Sequence, residues 1–213
     1  MRCARHLKRR RARRMLYKIG WAVCEILIRI LFHVEIYGRE NIPKAGGYML
    51  VANHRTNFDP LFVVAGVKRN QVCFMAKAEL FSNGFQRWLF KHLGAFPVER
   101  GKGDSGALDW AQTVVREGKI LGMFPEGTRS KDGKPLRPKS GAAMIAMQTG
   151  TDVLPCAVCF GPELKFRTRV VIRYGKLLQN SELGFTPGAN SPREIKDVSR
   201  RIMDQVVQLL EEG

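Results

Sequence analysis

Acidic residues are scarce in this chain. Nineteen Asp and Glu stand against 36 Lys and Arg over 213 residues, a formal net charge of +17. That deficit asks for a partner of opposite sign: nucleic acid, an anionic membrane surface or a phosphorylated substrate. A paired cysteine framework is also missing. The five cysteines, Cys3, Cys24, Cys73, Cys156 and Cys159, are odd in number and scattered, which reads as a reducing, cytosolic setting. Cys156 and Cys159 spell CxxC inside a strand-like run. A separation of three in a strand puts the thiols on opposite faces, so no metal or redox pair is expected. There is no long unbroken apolar run. The longest, Met15–Phe32, is interrupted by Lys18, Glu25 and Arg29. No small-residue cleavage site follows it, so no cleavable signal peptide is expected. Internal repeats are absent, as is a GxSxG nucleophile elbow. A mean hydropathy of −0.19 argues against a polytopic membrane protein. The 45% apolar and 9% aromatic content excludes a disordered chain.

The charge that is present is unevenly spread. Arg2, Arg5, Lys8, Arg9, Arg10, Arg11, Arg13, Arg14 and Lys18 supply nine positive charges within residues 1–18, with no acid among them. The apolar stretch follows directly. Lys18, Glu25 and Arg29 fall on one helical stripe, while Leu16, Ile19, Val23, Ile26, Leu27, Ile30 and Leu31 fill the opposite side at 3.6-residue spacing. Eighteen helical residues reach about 27 Å, near the lower limit for a bilayer. Three charges on one stripe favour a helix lying in the membrane interface over one that spans it. The plain alternative is a helix that packs on the domain. Residues 1–32 therefore read as a basic amphipathic membrane-interface helix, and residues 33–213 as one domain long enough for a hydrophobic core.

From residue 34 short apolar runs alternate with helical segments. The strand candidates are Val34–Tyr37, Gly47–Ala52, Val72–Ala76, Phe96–Glu99, Ile120–Phe124, Val153–Phe160 and Arg167–Tyr174. The helix candidates are Pro60–Val67, Gly84–Leu93, Ala107–Glu117, Gly141–Thr149 and Pro192–Leu210. Asp59 before Pro60 reads as an N-cap, and Ser105 reads as the N-cap of the third helix. Ser191 with Glu194 reads as a capping box. The alternation predicts an α/β fold with a mostly parallel central sheet flanked by helices. Ligands in such sheets bind beyond the carboxyl ends of the strands. The segments to inspect are Asn53–Asp59, Lys77–Phe81, Arg100–Gly106 and Pro125–Arg129.

His54 and Asp59 share the first of these segments. A helix would hold them about 140° apart, whereas a loop ending at a helix start lets the chain fold back and bring carboxylate to imidazole. Such a pair is a general base matched to neutral pH. The plain readings, a loop histidine and an N-cap aspartate, remain open at this level. No Ser or Cys nucleophile completes a triad, so the pair suits activation of a substrate hydroxyl. Gly101-Lys102-Gly103-Asp104-Ser105-Gly106 spells GxGxxG. The charged Glu99-Arg100 before it and its late position in the sheet argue against dinucleotide binding. Lys77, Arg100 and Arg129 each follow a strand, and three cations from three strand ends could converge on one anion. Thr128 beside Arg129, on a turn that Gly127 permits, would add a donor.

Five stretches together carry a resemblance. Asn53-His54-Arg55-Thr56-Asn57-Phe58-Asp59 resembles the NH-x4-D box of the glycerolipid acyltransferases. Gly94-Ala95-Phe96-Pro97-Val98-Glu99-Arg100 resembles that family's second block, Phe124-Pro125-Glu126-Gly127-Thr128-Arg129-Ser130 its third, and Val153-Leu154-Pro155-Cys156-Ala157 its fourth. Lys77-Ala78-Glu79-Leu80-Phe81 resembles the stretch between the first two. The blocks stand in family order across about residues 45–160. Cys156 departs from the usual branched aliphatic residue. Within the family, the bacterial enzymes that acylate lysophosphatidic acid are the nearest in pattern.

The resemblance implies acyl transfer from acyl-CoA or acyl carrier protein to the sn-2 hydroxyl of lysophosphatidic acid, giving phosphatidic acid. It implies His54 as general base and Asp59 as its orienting carboxylate. It implies a phosphate-binding group of Lys77, Arg100, Glu126, Gly127, Thr128 and Arg129, with Pro155 on the acyl side. No metal, cofactor or covalent intermediate is needed. The expected setting is the cytoplasmic face of the cell membrane, peripheral or monotopic, against an anionic surface. Glycerol 3-phosphate or another lysophospholipid is the alternative acceptor. A nucleic-acid-binding module would account for the charge but not for the histidine box, and no nucleic-acid partner is expected.

Overall fold

The computed structural model describes residues 2–68, 70–84, 87–88, 94–98, 105–186, 188 and 191–212. Seven strands form one sheet: β1 (His33–Tyr37), β2 (Met49–Ala52), β3 (Val72–Lys77), β4 (Ala95–Val98), β5 (Ile120–Met123), β6 (Val153–Cys159) and β7 (Arg169–Tyr174). Their order is β1-β7-β6-β2-β5-β3-β4. β6 pairs antiparallel with β7, and every other pairing is parallel. Five strands thus run one way, and the β7–β1 pair runs the other. The expected mostly parallel α/β sheet is what forms.

The helices are α1 (Arg2–Leu31), α2 (Asp59–Val64), α3 (Ser105–Arg116), α4 (Gly141–Thr149) and α5 (Pro192–Glu211). The expected helix Gly84–Leu93 and the motif Gly101–Gly106 lie largely outside the described residues. The sheet is covered on both faces. On one, Leu50, Leu154, Ile172 and Tyr174 pack with Ile28 of α1 and Phe62 of α2. On the other, Met49, Val51 and Val153 pack with Ala111 of α3, Ala143 of α4 and Ile202 of α5. β2 lies at the centre, and all four of its residues are buried. A strand buried on both faces needs a continuous apolar run rather than alternation, and Met-Leu-Val-Ala supplies one.

Three local expectations give way to other contacts. α2 begins at Asp59 itself, with Phe58 in the capping position, because both Asp59 oxygens turn back toward the preceding loop. α3 likewise begins at Ser105 rather than after it. Ser191 precedes α5 but makes no side-chain cap bond. Glu194 instead accepts hydrogen bonds from the Thr186 hydroxyl (2.6 Å) and the Thr186 N–H (3.4 Å). That tie takes up the carboxylate a capping box would have used.

α1 is one unbroken helix that includes the basic arm. It reaches the domain through a line of residues on one side. Trp21 Nε1 donates to the Val64 carbonyl (3.0 Å), and the Val72 N–H donates to Tyr17 Oη (3.1 Å). Ile28 is buried, as is Phe32 just beyond the helix. Burial pushes the Tyr17 phenol up to about 12. Leu16, Ile19, Val23, Ile26, Leu27 and Ile30 are 41–59% exposed. On the helical wheel they stand on the opposite side from Tyr17, Trp21 and Ile28. The expected apolar stripe therefore exists, and it is not what packs on the domain; only Leu31, at its end, is half-buried.

Candidate active site

The site lies at the carboxyl ends of β2 and β5, which are neighbours in the sheet. Asn53 anchors the loop after β2. It is buried, and its side-chain amide both donates to the Val158 carbonyl (3.1 Å) and accepts from the Val158 N–H (2.9 Å). This two-way bond stitches the end of β2 to β6 and fixes where the next residue starts.

That residue is His54. Its Nδ1 stands 2.8 Å from Asp59 Oδ2. The same oxygen accepts the backbone N–H groups of Arg55 (2.5 Å) and Thr56 (2.7 Å), while Oδ1 accepts the Thr56 hydroxyl (2.8 Å). Asp59 is fully buried, so all four donors are needed to offset the lost water. With Nδ1–H donating to Asp59, His54 Nε2 is left with its lone pair free. The fold-back loop that the five-residue spacing allows is the one that forms.

The imidazole plane is set by a stack. His54 lies on Phe124 with ring centroids 4.2 Å apart and 15° between planes, and Phe124 lies on Phe74 at 5.7 Å and 15°. Gly122 makes room for this stack, since a Cβ there would stand 2.3 Å from the Phe74 ring. Phe124 opens the third block of the resemblance, but nothing in the sequence marked it or Phe74 as the stack beneath the imidazole.

Glu126, expected in the phosphate-binding group as a residue that shapes its loop with Gly127, is 2% exposed and faces inward. Its carboxylate accepts the His54 N–H (2.7 Å) and the Leu136 N–H (2.8 Å). A buried carboxylate offers an anion no donor, and here it ties the β5 loop to the histidine loop. Burial raises its pKa from the ordinary carboxyl value, against the pull of those two N–H donors. The Ser130 N–H donating to the His54 carbonyl (2.8 Å) closes the junction from the other side.

Of the other expected phosphate ligands, Gly127 has φ 68°, in the left-handed region, so the turn it was expected to permit is present. Thr128 and Arg129 are exposed. Arg129 Nη1 donates to Asn57 Oδ1 (2.8 Å), which places the guanidinium at the lip of the histidine loop. Lys77 is the last residue of β3, whose carboxyl end is at the same sheet edge. Arg100 lies outside the described residues. Pro155 is the residue expected on the acyl side. It lies mid-strand opposite Val51, and its ring approaches Gly175 on the α5 face, where a Gly175 Cβ would meet Pro155 Cγ at 2.9 Å and Leu209 at 3.0 Å. The His54 ring rests on Phe124, which belongs to the opposite face.

The two thiols of the CxxC point apart, as expected. Cys156 is in the core beside α1 and α2, while Cys159 Sγ faces the Leu209 carbonyl of α5. No group of three or more potential metal ligands occurs among the described residues. The arrangement as a whole can take a proton at His54 Nε2, next to a lip that carries a cation.

Residues 33–159 match the family described as Acyltransferase. The chain is 28% identical to the 1-acyl-sn-glycerol-3-phosphate acyltransferase of Bacillus subtilis, over 81% of this chain and 87% of that protein. It is 30% identical to the protein of the same name from Streptococcus pneumoniae, over 84% and 67%. Among solved structures it resembles the 1-acyl-sn-glycerophosphate (LPA) acyltransferase PlsC from Thermotoga maritima. That likeness has a TM-score of 0.76 at 27% identity and covers 96% of this chain and 82% of that one.

Proposed function

This chain belongs to the acyltransferase family, and on that footing we propose that it is a 1-acylglycerol-3-phosphate O-acyltransferase that converts lysophosphatidic acid to phosphatidic acid. The names of its relatives support the enzyme class and the acceptor. The His54–Asp59 contact of 2.8 Å is the observation that carries the mechanism.

His54 Nε2 takes the proton of the sn-2 hydroxyl as its oxygen attacks the carbonyl carbon of an acyl thioester, from coenzyme A or a carrier protein. Asp59 keeps the imidazole in the productive tautomer and stabilises the imidazolium, as the carboxylate does in serine-hydrolase triads. Phe124 adds its ring face to the cation. The tetrahedral intermediate collapses, the C–S bond breaks, and the thiolate leaves with the proton from His54. The protein itself is never acylated. Arg129 at the lip, with Thr128, Lys77 and Arg100, is assigned to the acceptor phosphate, and bidentate guanidinium–phosphate bonding would fix the glycerol. Glu126 and Gly127 hold the loop that presents these donors.

Substrate and product are lipids, so the site must meet a bilayer. No described helix is long and apolar enough to cross a membrane. The exposed stripe of α1 supports a peripheral dock at the cytoplasmic face, its basic amino-terminal turns adding up to about 1 kcal/mol per charge toward anionic lipid.

Purified protein supplied with lysophosphatidate and acyl-CoA should release phosphatidate and free thiol in equal amounts. His54→Ala should lose most of that turnover, on the order of 10²-fold or more. Turnover near the wild-type rate in that variant would overturn the mechanism. Turnover with glycerol 3-phosphate alone would move the acceptor.

A further inference from the structure

Phe166 is 72% exposed, more than any other large apolar side chain among the described residues. It sits at the tip of the loop between β6 and β7, in a turn closed by the Thr168 N–H donating to the Lys165 carbonyl (3.1 Å). The Lys165 N–H in turn donates to the Thr168 hydroxyl (2.8 Å). Arg167, the third residue of the turn, has φ 64°, the one positive φ of a non-glycine residue among those described. That position suits Gly or Asn, and a long side chain is strained there. The strain is held in place from outside the loop. The Arg167 N–H donates to the carbonyl of Leu31, the last residue of α1, at 2.6 Å, and the His33 N–H donates to the Thr168 carbonyl at 3.0 Å. Leu164, two residues before Phe166, is packed against the core.

These bonds hold the turn that carries the exposed Phe166 at the end of α1, near which Leu27 and Ile30 are also exposed. The turn lies at the carboxyl end of β6, the sheet edge that carries His54. We propose that Phe166 is a second membrane anchor, which inserts at the headgroup boundary beside α1 and holds the catalytic edge of the sheet against the bilayer. Three observations favour lipid as the occupant. The turn that carries the ring is bonded to Leu31, at the end of the exposed stripe of α1. Arg167 follows it with a positive charge suited to anionic headgroups, and Lys165 precedes it, paired at the surface with Glu163. A single projecting ring on a turn offers a deformable lipid surface what it needs and offers a second protein too little area for a stable interface. The inference rests on the membrane-docking reading of α1.

The test uses the full chain with vesicles of phosphatidylcholine and phosphatidylglycerol, comparing Phe166→Ser, an α1 variant carrying Ile19→Ser and Val23→Ser, and Phe166→Trp. Phe166→Ser should bind vesicles about tenfold more weakly, as expected when one aromatic ring no longer leaves water, with its thermal midpoint unchanged. The added fluorescence of Phe166→Trp over the wild type should shift blue on vesicles and be quenched by brominated acyl chains. If Phe166→Ser binds like the wild type while the α1 variant is released, the second anchor is refuted and the α1 dock stands. If both variants bind like the wild type, both readings fall. A blue shift that follows protein concentration rather than lipid would assign the ring to a second copy of the chain and overturn the proposal.

Discussion

Glu126 shows how little a residue's charge says about its task until its neighbours are known. A carboxylate in a loop assigned to a phosphate has the wrong charge to bind it, yet it holds two backbone N–H groups that no side chain in the sequence announces. The spacing of His54 and Asp59 allowed a fold-back loop without requiring it, and it was the resemblance of the whole Asn53–Asp59 box that made the pair legible. Phe124, Asn53 and the inward turn of Glu126 were not, since each acts through a ring face or main-chain groups that any sequence supplies. The raised pKa of Glu126 has a testable sign. A carboxyl group is easier to ionise in the unfolded chain, with a pKa of about 4.3. Its contribution to stability is full below that value and falls as pH rises through the higher folded value. Glu126→Gln lacks the titration. The melting temperature of the wild type minus that of the variant should therefore be larger near pH 4 than near pH 7. Thermal melts at the two pH values decide it, and a constant difference would contradict the burial argument.

α1 carries two apolar lines on opposite sides, and periodicity alone picked out the one that stays exposed. The packed line is harder to see, because Tyr17 and Trp21 belong to it as aromatics with polar tips bonded to Val72 and Val64. Neighbouring residues make the difference measurable. Ile28 is 1% exposed and Leu27 is 49% exposed. Ile28→Ala should cost about 2–5 kcal/mol in denaturant unfolding, while Leu27→Ala should stay within about 0.5 kcal/mol. Equal losses would mean that the helix is turned otherwise on the domain. Removal of residues 1–32 is accordingly no clean test of membrane binding, since Ile28 and Phe32 belong to the core. The alternation of strands and helices was plain from residue 34 onward, and the boundaries moved by a few residues, as in α2, which runs Asp59–Val64 where Pro60–Val67 was expected.

At the scale of the whole molecule, the parallel sheet was legible, and the reversal of β1 and β7 was not. The run Arg167–Tyr174 has the same apolar character in either direction, and a short loop after β6 is the only hint of antiparallel return. With the proposed docking, that reversal decides what the enzyme measures as concentration. Because β1 runs against β2, the end of α1 and the β6–β7 turn arrive at the edge that bears His54. A catalyst held at a lipid surface by that edge searches in two dimensions. Its rate should follow the mole fraction of lysophosphatidate in the surface, so added inert phospholipid should slow it at constant bulk substrate once all the enzyme is bound. A rate set by bulk concentration alone would show that the acceptor is taken from water. On this view the orientation of one edge pair sets the dimensionality of the enzyme's kinetics.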